Sequence, residues 1–163
     1  MELYAMQHGV CLSKELDPDQ PLSQLGCEQI EWCANGIRRL GLSFDAIVSS
    51  PKTRAWQTAG IIARILDYPE KHIARTDTLK PMAAPQALLE YLHRFEDCPR
   101  VLIVSHLPLL GEVVSRCVAA NARVALNIEN GGLLRLDIKD FDRPTGLLMW
   151  YLTAYQLRLL SCP

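Results

Sequence analysis

The sequence predicts an α/β fold with three layers, in which helices cover both faces of a mostly parallel central sheet. Short apolar runs alternate with helical segments along most of the chain, and two strand-like segments stand together near its end. A chain of 163 residues is long enough for one core, so we expect a single domain spanning residues 1–163.

Four apolar runs have the length and residue types of buried strands, and we expect them to form the parallel part of the sheet. These runs are residues 2–6, 46–48, 73–75 and 100–105. Later in the chain, residues 132–138 and 147–155 read as two further strands joined by a polar turn over 139–146. The segment Asn-Gly-Gly at 130–132 favours a plain turn, the alternative being that its backbone approaches a ligand.

Four other segments have apolar residues at the three- and four-residue spacing of a buried helix face. The predicted helices cover residues 23–40, 52–66, 86–95 and 108–120. Ser23 is placed to cap the first helix, and Gly41 stands where a helix commonly ends. Pro108 suits the first turn of the fourth helix, where its missing N–H costs no hydrogen bond.

Composition indicates an ordinary globular protein, with 49% hydrophobic and 21% charged residues. The net charge of −1 argues against a nucleic-acid binder, and no apolar stretch reaches the roughly 18 residues of a membrane span. The first residues lack a basic segment followed by a long apolar core, so we predict a cytoplasmic protein without a signal peptide.

The cysteines show neither disulfide nor metal-site spacing. They are Cys11, Cys27, Cys33, Cys98, Cys117 and Cys162. None forms a Cys-x-x-Cys pair, and no cysteine–histidine cluster resembles a zinc site. We therefore expect reduced thiols, some of them packed in the core, and no metal or other cofactor.

Two histidines each follow a predicted strand directly, His8 after the first run and His106 after residues 100–105. Open α/β sheets bind ligands outside the carboxyl ends of their strands, so we expect both rings at one edge of the sheet. Gly9 permits a sharp turn and the close approach of an anion beside His8. Either histidine taken alone reads equally well as a hydrogen-bonded structural residue.

Arg54 is predicted in the first turn of the helix that follows the second strand. A helix start offers free N–H groups and the positive end of a dipole, and a guanidinium group suits phosphate. Taken alone, Arg54 also reads as a solvated surface residue. Together with His8 and His106 at the same sheet edge, it predicts a cationic pocket in which one histidine is the nucleophile.

Four segments together resemble the histidine phosphatase superfamily, and within it the short SixA-type phosphohistidine phosphatases. They are residues 3–9, 21–26, 50–58 and 104–108, which read LYAMQHG, PLSQLG, SPKTRAWQT and VSHLP. The resemblance implies the phosphoglycerate mutase-like fold and a phosphatase that works without a metal. It also implies that His8 attacks phosphorus and becomes phosphorylated.

The resemblance further implies that Arg54 and His106 hold the phosphoryl oxygens. We expect a protonated His106 to supply charge there together with Arg54. The neighbours of these residues in the matching segments are expected to contact the substrate. These neighbours are Gln7, Gly9, Ser50 and Leu107.

Gln7 departs from the family, which has an arginine at this position. A glutamine donates only neutral hydrogen bonds, and loss of a charged donor of this kind costs on the order of 10²–10³ in rate. The missing cation also favours protonation of His8, which then cannot attack. Either another cation fills the space, with Lys52, Lys80 and Arg135 as candidates, or catalysis is weak or lost.

The expected function is hydrolysis of phosphohistidine on a protein such as a phosphotransfer domain. Larger branches of the family use a carboxylate after the second helix, and here residues 77–82 offer only Asp77, in a context typical of a turn. A leaving imidazole, whose conjugate acid has a pKa of about 6.5, needs less help from an acid. The alternatives are a phospho-binding regulatory module and a phosphomonoesterase for a small molecule.

Overall fold

A computed structural model describes residues 1–119, 124–141 and 145–161, and in these residues the chain forms a six-stranded sheet of order β3-β2-β4-β1-β5-β6. The strands are β1 (Glu2–Gln7), β2 (Ala46–Ser49), β3 (Ala74–Arg75), β4 (Arg100–Ser105), β5 (Leu133–Asp140) and β6 (Thr145–Leu152). The first four are parallel, whereas β5 is antiparallel to both of its neighbours. The predicted mostly parallel sheet is confirmed.

Helices cover both faces of this sheet. In the described part of the chain they are α1 (Gln24–Arg39), α2 (Thr53–Ile65), α3 (Pro85–Leu92), α4 (Leu109–Ala119) and α5 (Ala154–Ser161). Leu3 and Ala5 of β1 pack with α3 and α4, whereas Tyr4 and Met6 pack with α1, α2 and α5. Alternate side chains of a strand point to opposite faces, so two apolar clusters enclose the sheet and the predicted three layers are confirmed.

The ends of α1 are as the sequence predicts. The hydroxyl of Ser23 accepts a hydrogen bond from the N–H of Gly26 at 3.0 Å, and Gly41, with a φ of +70°, follows the last turn. The helix predicted over residues 86–95 is shorter, because α3 ends at Leu92 and a 3₁₀ turn, His93–Phe95, continues the chain.

Two predicted features extend beyond the described residues. Residue 120, the predicted end of the fourth helix, and residues 142–144 of the predicted polar turn lie outside them.

The five described cysteines are free thiols, and Cys162 lies outside the described residues. Burial raises the pKa of the Cys33 thiol to about 12 and that of the Cys117 thiol to about 11.

The prediction of a strand over residues 147–155 is wrong at its end. Strand β6 stops at Leu152, and α5 begins at Ala154. Thr153 and Gln156 form a capping box: the Thr153 hydroxyl accepts from the Gln156 N–H at 3.1 Å, and Gln156 Oε1 accepts from the Thr153 N–H at 2.9 Å. These reciprocal bonds start a helix inside a run of apolar residues that reads as a continuous strand.

None of the described helices is both long enough and apolar enough to cross a lipid bilayer.

Gly26 allows α1 to pack directly against the segment that follows His8. A Cβ atom at this position would lie 1.9 Å from the backbone oxygen of Val10. The same oxygen accepts a hydrogen bond from the N–H of Ser23 at 3.0 Å. The loop after β1 is therefore held against the start of α1 by backbone contacts.

Replacing Gly26 with alanine is expected to lower the free energy of unfolding by about 2–3 kcal/mol, because backbone must move to admit the methyl group. Gly60 in α2 is the matched control, since nothing lies within 4 Å of a Cβ built there. Gly60→Ala is expected to raise the free energy of unfolding by about 0.5–1 kcal/mol. Urea unfolding measures both changes, and equal effects would contradict the close packing at Gly26.

Candidate active site

The carboxyl ends of β1, β4 and β2 bring the two histidines and Ser50 to one edge of the sheet. The N–H of His8 donates to the oxygen of Ser105 at 3.1 Å, and the N–H of Ser50 donates to the oxygen of Val104 at 3.0 Å. The centroids of the His8 and His106 rings lie 4.9 Å apart. The two residues are only 8% and 2% exposed.

Two hydrogen bonds determine which nitrogen of His8 carries the proton. Nδ1 lies 2.7 Å from the carbonyl oxygen of Gly9, which can only accept, so Nδ1 is the protonated nitrogen. Nε2 lies 3.0 Å from Nε of Arg54, which can only donate, so Nε2 holds the lone pair. The ring therefore presents Nε2 as its nucleophilic atom.

Burial keeps both imidazoles neutral. Desolvation lowers the pKa of His8 to about 4, and the charge of Arg54 adds to the effect. Desolvation likewise lowers the pKa of His106 to about 3, and the nearby His8 ring and the positive charges of Arg54 and Lys52 act in the same direction. His8 is therefore neutral near neutral pH even though position 7 carries no cation, because burial and Arg54 both lower its pKa.

The prediction of a protonated His106 is also wrong for this form of the site. Its Nε2 lies 2.9 Å from the Ser50 hydroxyl, and its Nδ1 is buried with no hydrogen-bond partner in the described residues. Among these residues the charges that act on the ring are positive. A cation in this position lacks a partner to stabilise it, so the ring stays neutral.

Arg54 occupies the predicted first turn of α2 and bonds to both His8 and the loop before α1. Besides its contact with His8, its Nη1 donates to Oε1 of Gln20 at 3.4 Å. The Thr58 hydroxyl donates to the backbone oxygen of Arg54 at 2.8 Å and accepts from the N–H of Gly9 at 3.1 Å. Both backbone groups of Gly9 are thus engaged, and this residue orients His8 and joins it to α2.

The segment 130–132 is more than a plain turn. The amide of Asn130 donates to the backbone oxygen of His8 at 2.8 Å. The N–H of Gly131 donates to the oxygen of Gln7 at 3.0 Å, and the N–H of Gln7 donates to the oxygen of Gly132 at 3.3 Å. This segment therefore supports the backbone of the predicted nucleophile.

The side chains of Gln7 and Leu107 are less closely tied to the two histidines. Oε1 of Gln7 is buried and has no hydrogen-bond partner in the part of the chain that is described. Leu107 is 38% exposed and lines a surface groove next to His106. The other residues of this groove are Pro108, Gly111, Glu112, Ser115, Val124, Ala125 and Leu126.

Asp77 and Lys80 pair with each other. The carboxylate of Asp77 accepts from Nζ of Lys80 at 2.7 Å, and both side chains are exposed. In this structure each of the two is the other's partner, and neither bonds to His8, Arg54 or His106. Among the described residues, no three histidine, cysteine, aspartate or glutamate side chains form a group suited to a metal ion.

Arg135 is also excluded as a replacement for the family arginine. It pairs with Glu2 at 2.9 Å and with Asp137 at 2.8 Å. Glu2 is the first residue of β1, at the end of the strand opposite His8. Lys52, the third candidate, is exposed at the start of α2, and its charge acts on His106.

Sequence reasoning missed two contributors to the site, Gln20 and Thr58, and favoured a plain turn for the segment that holds a third, Asn130. Thr58 ends the segment on which the resemblance depends, and Asn130 begins the Asn-Gly-Gly segment, so both carried a signal. Gln20 lies in the loop before α1, and no feature of the sequence sets it apart from the other polar residues there.

Comparison with known proteins identifies the family of this chain. A family model of the histidine phosphatase superfamily (branch 1) matches residues 3–84. An uncharacterized protein of a Picosynechococcus species is 32% identical over 141 residues, which cover 83% of this chain and 84% of that protein. The chain therefore belongs to the histidine phosphatase superfamily.

Further comparison connects the chain with the SixA-type members. Phosphohistidine phosphatase SixA of Escherichia coli is 29% identical over 118 residues, which cover 71% of this chain and 73% of that protein. The structure of the protein histidine phosphatase SixA with tungstate has a TM-score of 0.83 and 24% identity, over 96% of this chain and 99% of that one. The chain is thus a SixA-type member of this superfamily.

The same fold also serves other phosphatases. The phosphoserine phosphatase of Entamoeba histolytica, solved with 3-phosphoglyceric acid, has a TM-score of 0.70 and 18% identity. Its alignment covers 96% of this chain and 98% of that one.

We expect His8 to be half protonated at a pH of about 4 and to be the neutral Nδ1–H tautomer near neutral pH, because its pKa is lowered to about 4. Nitrogen-detected NMR follows this titration, and the spectrum of His8→Asn identifies the resonances. Arg54→Gln is expected to raise the pKa of His8, since it removes a neighbouring cation. A ring that titrates near its ordinary value, or that carries its proton on Nε2, would contradict the assignment.

Proposed function

We propose that the protein hydrolyses phosphohistidine on a protein partner through a covalent phosphohistidine intermediate at His8. One observation carries this proposal: His8 is neutral, donates Nδ1–H to the Gly9 carbonyl and directs the lone pair of Nε2 at Arg54. A nucleophilic nitrogen next to a guanidinium group is the arrangement that attack on an anionic phosphoryl group needs.

In the first step, Nε2 of His8 attacks phosphorus and the N–P bond of the substrate breaks. The electron pair of that bond stays on the substrate imidazole, which leaves neutral when its other nitrogen carries a proton. His8 then holds phosphorus on Nε2 and a proton on Nδ1, and its ring is positively charged. The Gly9 carbonyl, 2.7 Å from Nδ1, stabilises this charge.

In the second step, water attacks phosphorus and the bond to Nε2 breaks. The electron pair returns to Nε2, so His8 leaves as the neutral Nδ1–H imidazole from which it started. The proton of the attacking water goes to the inorganic phosphate that is released. Because the leaving ring already carries its proton on Nδ1, this step needs no separate acid at His8.

Binding of the phosphoryl group exchanges one contact for another at Arg54. Its Nε now bonds to Nε2 of His8 at 3.0 Å, the atom that phosphorus must reach. The guanidinium group therefore moves to the phosphoryl oxygens as the substrate enters. When the Ser50 hydroxyl donates to Nε2 of His106, the unpartnered Nδ1–H of that ring donates to another oxygen.

The chemistry of the leaving group favours phosphohistidine. Alkoxides are poor leaving groups, so phosphate esters call for a general acid. Asp77 is ion-paired to Lys80. Among the described residues, the charged side chains that act on His106 are those of Arg54 and Lys52, which are both positive. Imidazole leaves with less help, and the SixA relative of E. coli is named a phosphohistidine phosphatase.

Steady-state kinetics tests this proposal with a histidine-phosphorylated phosphotransfer domain and a sugar phosphate as the two substrates. We expect kcat/KM to be at least about 10²-fold higher for the phosphohistidine, because no acid assists the ester. His8→Asn is expected to abolish turnover, and His72→Asn, at an exposed position, is the control. Equal rates on both substrates would favour the phosphomonoesterase, and activity in His8→Asn would contradict the intermediate.

Gln7 keeps a second candidate open, a phospho-binding module with weak or lost catalysis. Oε1 of Gln7 is buried without a partner, and the side chain offers no charge to the phosphoryl oxygens. Such a module binds the phosphorylated partner and releases phosphate slowly or not at all.

Gln7→Arg is expected to raise kcat on phosphohistidine by at least about tenfold, because a guanidinium group stabilises the charge that develops on the phosphoryl oxygens. The phosphate-release assay of wild type and variant measures the change. An unchanged rate would contradict the role assigned to the missing arginine. A wild type that binds the phosphorylated partner without turnover identifies the module instead.

A further inference from the structure

We propose that Lys52 supplies the second cation of the phosphoryl site, in place of the arginine that is absent at position 7. The inference deepens the proposed function and depends on it, since it assumes a phosphoryl group held at His8, Arg54 and His106. Lys52 lies within the matching segment 50–58, but the family resemblance assigns no role to this residue.

Lys52 is connected to the site through Ser50. Its backbone N–H lies 3.4 Å from the Ser50 hydroxyl, and that hydroxyl lies 2.9 Å from Nε2 of His106. Lys52 is the residue before the first turn of α2, and its side chain makes no capping bond. The ammonium group lies near enough to His106 to lower the pKa of that ring.

Two other cationic side chains near this edge of the sheet already have partners. Lys80 pairs with Asp77, and the guanidinium of Arg75 stacks on Trp56, 3.9 Å from the ring centroid. The Lys52 side chain is exposed and has no ion pair or hydrogen bond of its ammonium group within the described ranges. Its charge is therefore available to an anion that enters the site.

The sheet order determines the direction from which this charge acts. Strand β4, which leads to His106, lies between β1 and β2. Gln7 ends β1 and Lys52 follows β2, so the two residues lie on opposite sides of β4. Lys52 thus replaces the charge of the missing arginine but not its position. A lysine is a mobile point charge without the paired donors of a guanidinium group, so this replacement is partial.

A double-mutant cycle tests the proposal with Lys52→Gln in the wild-type and Gln7→Arg backgrounds. The readouts are kcat/KM on the phosphohistidine protein and the Kd of inorganic phosphate. In the wild-type background we expect a loss of about tenfold in each, larger at low ionic strength because exposed charges are screened by salt. In the Gln7→Arg background the loss is expected to be below about threefold, because a guanidinium already neutralises the phosphoryl oxygens.

Two control variants separate charge from structure. Lys71→Gln removes an exposed lysine from the 3₁₀ turn Glu70–His72 and is expected to leave both readouts unchanged. Lys52→Arg keeps the charge and is expected to retain most of the activity. Urea unfolding of Lys52→Gln checks that α2 is intact, as expected for a side chain without a capping bond.

A loss below about twofold in Lys52→Gln, or an equal loss in both backgrounds, would overturn the proposal. Failure of the proposed function gives a different result. In that case the wild type does not turn over phosphohistidine, while Lys52→Gln still weakens the binding of inorganic phosphate and Gln7→Arg still reduces that effect. Weaker phosphate binding in Lys52→Gln therefore supports the role of Lys52 as the second cation even if the protein does not catalyse hydrolysis.

Discussion

The parallel pairing of β4 with both β1 and β2 is the constraint on which the candidate site depends. Gln7 is in register with Ser105, and Ser49 is in register with Val104. The residues that follow these strands, His8, His106 and Ser50, therefore emerge together at one edge. A shift of one residue in any of the three strands would turn a site residue toward the opposite face of the sheet.

Burial and charge have separate roles at this edge. Desolvation, more than the charge of Arg54, keeps the imidazole of His8 neutral, so the proposed nucleophile does not need an arginine at position 7 to be neutral. The arginine of the family instead contributes charge to the phosphoryl oxygens, which Gln7 does not do. In the proposed mechanism, its absence therefore affects stabilisation of the transition state and leaves the neutral state of His8 intact.

Local signals in the sequence predicted most of the fold and the three central site residues. Two of these residues, His8 and His106, follow strand ends, and Arg54 lies in the first turn of a helix. The carboxyl ends of parallel strands meet at one edge of a sheet, so the positions of these residues in the chain indicate that they lie close together. The start of α5 was missed because the apolar run of β6 masks the capping box of Thr153 and Gln156. Such a reciprocal pair is recognised reliably only when the helix boundary is known.

Properties that arise from tertiary packing could not be predicted from the sequence. The neutral state of His106 depends on its burial and on the positive charges around it, neither of which follows from the order of residues. The pairing of Lys80 with Asp77 and of Arg135 with Glu2 likewise decides which cations remain available. Sequence supplied the candidates, and only three-dimensional contacts distinguish Lys52 from the others.

The most direct measurement locates phosphorus on the protein after rapid mixing with phosphoramidate, a small phosphoryl donor. Phosphorus–nitrogen correlation NMR on protein labelled with ¹⁵N in its histidines identifies the atom that carries the phosphoryl group. We predict phosphorus on Nε2 of His8, because the Gly9 carbonyl holds the proton on Nδ1. Phosphorus on Nδ1 of His8, on His106, or on no histidine would contradict the assignment of the nucleophile.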